Sequence, residues 1–405
     1  MERLGVLRVV ALLMACLAVF VVSSADCFAT ETEELRKELD SLKAKVAAME
    51  GSLLEKSPAA KHDDGVATQF GRNLGIFGDI NYYTDSRERR NKSFNIGSVG
   101  LYSHAESGRL NFMSELLIFE HNAKSGINIE RIWIGYTFND YLKLRAGRFH
   151  TALGYWNAAF HHGRYLYAPM DRPFFIDFED IGGVIPAHIV GLEAAGSLGP
   201  LSYTAEVGNG PGLSVDPHWF LYSKSRKYRL APNNQSDNND SKMAAGRIAF
   251  EPGRMPWFSL GVSAANYLVQ YKKTETAPVQ LVDIYVHQAV YSGDMHIEKS
   301  GMELIGEYYL LKNGERAAHA FYGQLSYNID SINLTPYARF ARLDTKTGDP
   351  YLKWLAGGGE RSETVFGVRY DIDGMHSAVK FQFRRDNMVG STREDSFEAQ
   401  WAFHF

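Results

Sequence analysis

Cysteine is almost missing from these 405 residues: there are two, Cys16 and Cys27. Both lie in or beside an N-terminal leader, so the exported chain is expected to have neither a disulfide framework nor thiol chemistry. Proline is scarce at 13, against 37 glycines, 22 tyrosines and 24 phenylalanines. Charge of one sign is also lacking, and a formal net charge of −4 points to no nucleic-acid partner. Beyond the leader no apolar run is long enough to cross a bilayer as a helix, which leaves a soluble periplasmic protein or a barrel that crosses with strands. No nucleophile elbow, phosphate loop or zinc-hydrolase motif occurs, so the sequence offers no enzyme, cofactor or metal site. The adjacent His161 and His162 diverge from an extended backbone and have no spaced third ligand, which makes them loop residues.

Residues 1–29 read as a signal peptide. Arg3 and Arg8 precede the apolar stretch 9–22, and Ser23, Ser24 and Ala25 follow. Cleavage after Ala25 or Ala29 suits the small residues there, and Ala29 leaves the cleaner start. The next segment, 30–56, carries Leu35, Leu39, Leu42, Val46, Met49 and Leu53 at spacings of three and four, a heptad seam. Fewer than three full heptads cannot persist alone, so residues 31–54 are expected to form a parallel three-stranded coiled coil on the periplasmic side of a homotrimer. A lone amphipathic helix at the barrel mouth is the other reading. Residues 57–72 read as a linker.

From residue 73 onward the hydrophobic period changes to two. Phe397, Ala399, Trp401, Phe403 and Phe405 alternate with Glu398, Gln400, Ala402 and His404. Ile132, Ile134, Tyr136 and Phe138 alternate with Arg131, Trp133, Gly135 and Thr137. One face is apolar and the other polar, as lipid outside and water inside a barrel require. About sixteen such segments are found, the weakest at 94–104 and 281–291. The predicted fold class is all-β: a transmembrane antiparallel β-barrel over 73–405, with the short coiled-coil helix before it. Links after even-numbered strands are mostly tight, while those after odd-numbered strands include the long polar stretches 210–242 and 344–361. Two links on the tight side, 251–256 and 292–300, are longer than this parity prefers. Sorting of loops by parity is expected of an outer-membrane barrel with both ends periplasmic, and not of a soluble sandwich.

The link 150–187, between the fifth and sixth strands, contains too many aromatics for a solvated loop. It is expected to fold inward, pack Trp156, Phe160, Tyr165, Phe174 and Phe175 on the wall and narrow the lumen. Parity places Arg131, Lys143, Arg145, Arg247, Arg339, Arg369, Lys380 and Arg384 inside, with Asp79, Glu115, Glu193, Glu206, Glu303, Glu307 and Glu363. The expected pore-lining or constriction set is Arg131, Lys143, Arg145, Arg339, Arg369, Lys380 and Arg384 on the wall and Asp171, Arg172, Asp177, Glu179 and Asp180 on the loop. Charges at a constriction set ion preference by focusing the field, unless they only pair across strands. The basic run Lys224, Arg226, Lys227 and Arg229 falls on an expected external loop, where it suits lipopolysaccharide.

The run Leu144-Arg145-Ala146-Gly147-Arg148-Phe149, followed by Leu153-Gly154-Tyr155-Trp156-Asn157 and Asp171-Arg172-Pro173, is similar to the corresponding region in the broad superfamily containing the phosphate-selective porins. The whole of 70–405 resembles the sixteen-stranded trimeric bacterial porins, in which the loop after the fifth strand is the constriction and a terminal Phe marks the barrel for assembly. That resemblance implies a trimer in the outer membrane passing small hydrophilic solutes or ions. Phosphate selectivity is not carried over, because no basic ladder aligns. Two other readings are a barrel sheathing a partner such as an electron-transfer protein, and a barrel enzyme with a catalytic cluster at its rim.

Overall fold

The computed structural model describes residues 73–84, 93–121, 124–160, 163–177, 183–214, 229–231, 241–271, 284–354, 358–390 and 393–405. The chain divides into two units, Met1–Gly65 and Val66–Phe405. The leader, the expected coiled coil at 30–56 and the linker at 57–72 lie outside the described residues.

Alternation of side chains builds the strands, and closure removes every sheet edge. In chain order they are β1 (Asn73–Tyr83), β2 (Ser93–Ser107), β3 (Leu110–His121), β4 (Lys124–Asn139), β5 (Leu142–His150), β6 (His188–Leu198) and β7 (Leu201–Asn209). A two-stranded hairpin follows, β8 (Gly212–Ser214) with β9 (Arg229–Ala231). The barrel resumes with β10 (Lys242–Phe250), β11 (Phe258–Tyr271), β12 (Ile284–Lys299), β13 (Met302–Asn313), β14 (Arg316–Tyr327), β15 (Leu334–Asp344), β16 (Arg361–Ile372), β17 (Ser377–Met388) and β18 (Glu394–His404). All but β8 and β9 form one closed antiparallel barrel of sixteen strands, sealed by β1 against β18.

The two faces differ as period two demands. On β4, Ile132, Ile134, Tyr136 and Phe138 are exposed on the outside while Trp133 and Gly135 are buried. On β18, Phe397 and Trp401 are exposed while Glu398 and Gln400 are buried. An inverted protein of this kind, apolar outside and polar within, suits a hydrocarbon surround.

Connections at one end are mostly tight, 108–109, 140–141, 199–200, 300–301 and 373–376, while 251–257 is longer, as the sequence suggested, and 328–333, where a tight turn was expected, is longer too. The long link expected over 292–300 does not exist. β12 runs on to Lys299, and the chain reverses at Ser300 and Gly301, both at positive φ. Ser292, Gly293 and Asp294 read as strand breakers, yet they pair with Tyr309, Tyr308 and Glu307 on one side and Ser263, Val262 and Gly261 on the other. Ladders on both sides override local propensity. At the opposite end 314–315 is as short as any turn, while 345–360 is long. The link at 345–360, expected to stand outside, folds partly inward, with Tyr351 and Leu352 in the buried core.

Candidate functional site

The described residues of 151–187 run inside the barrel, and several of their backbone groups hydrogen-bond to the wall. The loop begins with a short helix, α1 (Gly154–Ala159). Amide N–H groups ahead of and within its first turn have no helical acceptor. Inward carboxylates and a hydroxyl supply one. Ala152 N–H donates to Glu206 at 2.9 Å, Gly154 N–H to Ser263 at 2.9 Å and Trp156 N–H to Glu307 at 2.7 Å. Tyr322 donates to the same Glu307 carboxylate at 2.6 Å, and Tyr309 also does. Gly154 is required here, since its φ is +75° and a Cβ would meet Glu307 and Tyr309.

Further along, the loop turns its carbonyls to the other side of the barrel. Lys380, fully buried, donates to the carbonyls of Tyr167 at 2.8 Å and Pro169 at 2.9 Å, and to that of Arg164. Arg369 donates to the carbonyls of Tyr165 and Tyr167, and Arg339 to that of Asp171 at 2.5 Å. Gln382 accepts from Met170 N–H at 3.2 Å. The Asp171 carboxylate pairs with Arg164 of the loop and Arg384 of the wall. Burial alone would raise its pKa, but Arg384, Arg164 and Arg339 hold it well below the usual carboxylate range.

Apolar packing completes the seat. Trp156 meets Tyr322 edge-on at 6.0 Å, and Phe175 meets Tyr309 at 5.8 Å. Both belong to a buried cluster with Met243, Ile305, Leu311 and Leu343 of the wall. From 345–360, Asp349 accepts from Asn313 at 2.9 Å, and the Tyr351 hydroxyl lies 3.2 Å from that of Tyr267 and 3.5 Å from the Val184 carbonyl. The second loop thus braces the first.

The expected pore-lining residues therefore separate into two groups. Arg339, Arg369, Lys380, Arg384 and Asp171 are brought together, but as the clamp that holds the loop. Arg172 is likewise structural: it is buried at 2% exposure and donates to Asn157 and the Phe160 carbonyl. These six do not stand free for a solute, because a base on the inner wall takes the nearest carbonyl the loop offers. The strip on β3–β6 is different. Arg131 pairs with Glu115 at 2.6 Å, and Arg145 pairs with Glu193 at 2.7 Å while lying 4.4 Å over the Trp133 ring. Lys143 is exposed and has no ion pair among the described residues. Asp177, half-buried, ends the turn Phe174–Ile176; Glu179, Asp180, His161, His162, Lys224, Arg226 and Lys227 lie outside the described residues.

Sequence reasoning placed Glu206 and Glu307 inside without seeing that they cap loop amides, and it gave Arg164, Ser263 and Gln382 no role. An inward acid among tyrosines, as in Glu307-Tyr308-Tyr309, was the available signal. Among the described residues no group of three or more histidines, cysteines, aspartates or glutamates is placed to hold a metal ion.

No protein-family model matches the sequence, and a search of curated proteins finds no matching relative. Solved structures do align. The trimer form of OmpT, an outer membrane protein of Vibrio cholerae, superposes with a TM-score of 0.53 at 11% identity, over 83% of this chain and 100% of that one. A loop L8 deletion mutant of OmpT gives 0.52 at 10% identity over the same shares. A porin structure aligns more weakly, at 0.49 and 12% identity over 83% of this chain and 100% of that one, too distant to weigh. At identities this low the OmpT superpositions show a shared barrel fold alone. They do not extend to the phosphate-selective group.

Proposed function

We propose that this chain is an outer-membrane channel, a homotrimer of barrels through which small hydrophilic solutes or ions diffuse passively. The observation that carries the reading is the division of inward charge. On β7, β11, β13 and β15–β17 Glu206, Ser263, Glu307, Arg339, Arg369, Lys380, Gln382 and Arg384 seat the described part of 151–187. On β3–β6 the pairs Arg131–Glu115 and Arg145–Glu193 and the exposed Lys143 stay with the wall. A loop held this firmly off one strip leaves an eccentric water path beside it, lined by Arg131, Lys143, Arg145 and Trp133. A sheath around a partner protein would need the lumen that the loop and Tyr351 occupy, so the packing favours the channel. The apolar exterior supports an outer-membrane setting, with the tight turns and both chain ends periplasmic.

Single-channel recording in planar bilayers tests this directly. Ohmic steps with a reversal potential in a salt gradient are expected, and crosslinking of detergent-purified protein should give trimers. A silent bilayer with a tightly co-purifying partner would overturn the reading in favour of a sheath.

A further inference from the structure

Arg145, on the inner face of β5, has Gly135 of β4 opposite it on one side and Glu193 of β6 on the other. An arginine and a carboxylate so placed frequently form a bidentate fork. Here they do not. Nη1 donates to Glu193 at 2.7 Å and is the one nitrogen of Arg145 with a hydrogen bond among the described residues. The guanidinium carbon lies instead 4.4 Å from the centroid of the Trp133 ring, which stands two residues along β4 from Gly135. The Arg145 side chain is 32% exposed and that of Glu193 only 7%, so the lumen meets the cation more than its counter-ion.

Two glycines shape this contact. Register sets Trp133 opposite Gly147 and Arg145 opposite Gly135, so each large side chain faces a glycine across the β4–β5 ladder. A Cβ on Gly135 would stand 2.9 Å from Cγ of Arg145 and 3.4 Å from Cζ3 of Trp133. The space it leaves empty is where the arginine stem comes up against the indole. Gly147 has a φ of +143°, which side chains rarely tolerate, and a Cβ there would lie 2.6 Å from Cα of Trp133. On the other side Trp133 pairs with Met113 of β3, and both belong to the buried cluster. The indole is thus the fixed plane of the pair, and the long arginine side chain is laid on it.

We propose that Trp133 is a positioning residue of the channel: its ring face holds the Arg145 guanidinium turned away from full engagement with Glu193, so an uncharged side chain sets how much positive charge the water path meets. A cation on an aromatic face and the second hydrogen bond of a bidentate pair are of comparable strength, so removing one lets the other win. Without the indole the guanidinium closes on Glu193 as a fork. Its charge is then balanced at close range, and the positive field over β4–β5 weakens. This deepens the channel reading and rests on it, since selectivity requires a conducting path.

The test compares Trp133→Leu, Trp133→Phe and Arg145→Gln, with each tryptophan change also made in the Arg145→Gln background. Reversal potentials of the full-length protein are read in planar bilayers across a potassium chloride gradient. Trp133→Leu should move the potential toward cations by about half the shift that Arg145→Gln gives, and Trp133→Phe, which keeps a smaller ring face, by less. In the Arg145→Gln background neither should add anything, whereas a tryptophan that merely packs the wall would add the same shift in both. The phenylalanine variant keeps the test open should the leucine variant fold poorly. Nitrogen-15 NMR in detergent supplies a readout that needs no conduction. The Nε–H signal of Arg145, assigned by its loss in Arg145→Gln, should be displaced by the indole ring current and return toward the ordinary arginine position in Trp133→Leu. Equal shifts in both backgrounds, or no shift from either tryptophan variant where Arg145→Gln gives one, would overturn the positioning role and leave the channel standing. A displaced Nε–H that Trp133→Leu restores, in a protein whose bilayers stay silent, would support the hold of Trp133 on Arg145 and overturn the channel.

Discussion

The loop at 151–187 is gripped from two sides by opposite chemistry. On β7, β11 and β13, Glu206, Ser263 and Glu307 accept from its amide N–H groups. On β15, β16 and β17, Arg339, Arg369 and Lys380 donate to its carbonyls. The difference teaches that charge on a barrel's inner wall is no guide to what the lumen leaves exposed. Each of these two walls carries the sign its stretch of loop backbone demands, while the pairs Arg131–Glu115 and Arg145–Glu193 on β3–β6 are left alone by the loop.

If that contrast is right, the acid side should be the more costly to damage. A buried N–H without an acceptor is worse than a carbonyl that keeps one of its two lone pairs occupied. Glu307→Leu orphans Trp156 N–H and the hydroxyls of Tyr309 and Tyr322, and should cost about 3 kcal/mol in urea unfolding from lipid vesicles. Lys380→Met strips a donor from three carbonyls and should cost about 2 kcal/mol, with a larger, noisier single-channel current as that half of the loop detaches. Equal losses, or a larger loss at Lys380, would break the comparison.

Selectivity should respond on the other strip. Arg145→Gln or Arg131→Gln leaves Glu193 or Glu115 unbalanced and should move the reversal potential toward cations. Lys143→Gln should do so by less, since an exposed charge is screened by salt. Smallest of all is the response expected from replacing Asp177, Glu179 and Asp180 together by amides, a shift toward anions. Should Lys380→Met change selectivity more than Arg145→Gln, the assignment of clamp and path would be reversed.

Much of this was legible in the chain. The alternation in Ile132 to Phe138 and in Phe397 to Phe405 marks strands because lipid and water demand opposite faces at every second residue. The aromatics Trp156, Phe160, Phe174 and Phe175 mark an inward loop because water would not hold them. The extension of β12 through Gly293 and Asp294 was not legible, since two neighbouring ladders decide it. Nor was the task of Lys380: whether an inward base meets solute or backbone depends on where a loop more than 200 residues earlier comes to lie. Tyr351 was hidden for the same reason, its partner Tyr267 being 84 residues away.

The same separation bears on how the molecule is made. Lys380 and Pro169 are 211 residues apart, and Gln400 of the last strand approaches the Met170 carbonyl from 230 residues away. Contacts of such long range close late, after the entropy of the intervening chain has been lost. The carbonyl-bound half of the loop therefore cannot complete its seat until β17 and β18 are in place. Contacts of that half are expected to close late, so a cell inserting this protein has reason to finish the C-terminal strands before the barrel reaches lipid.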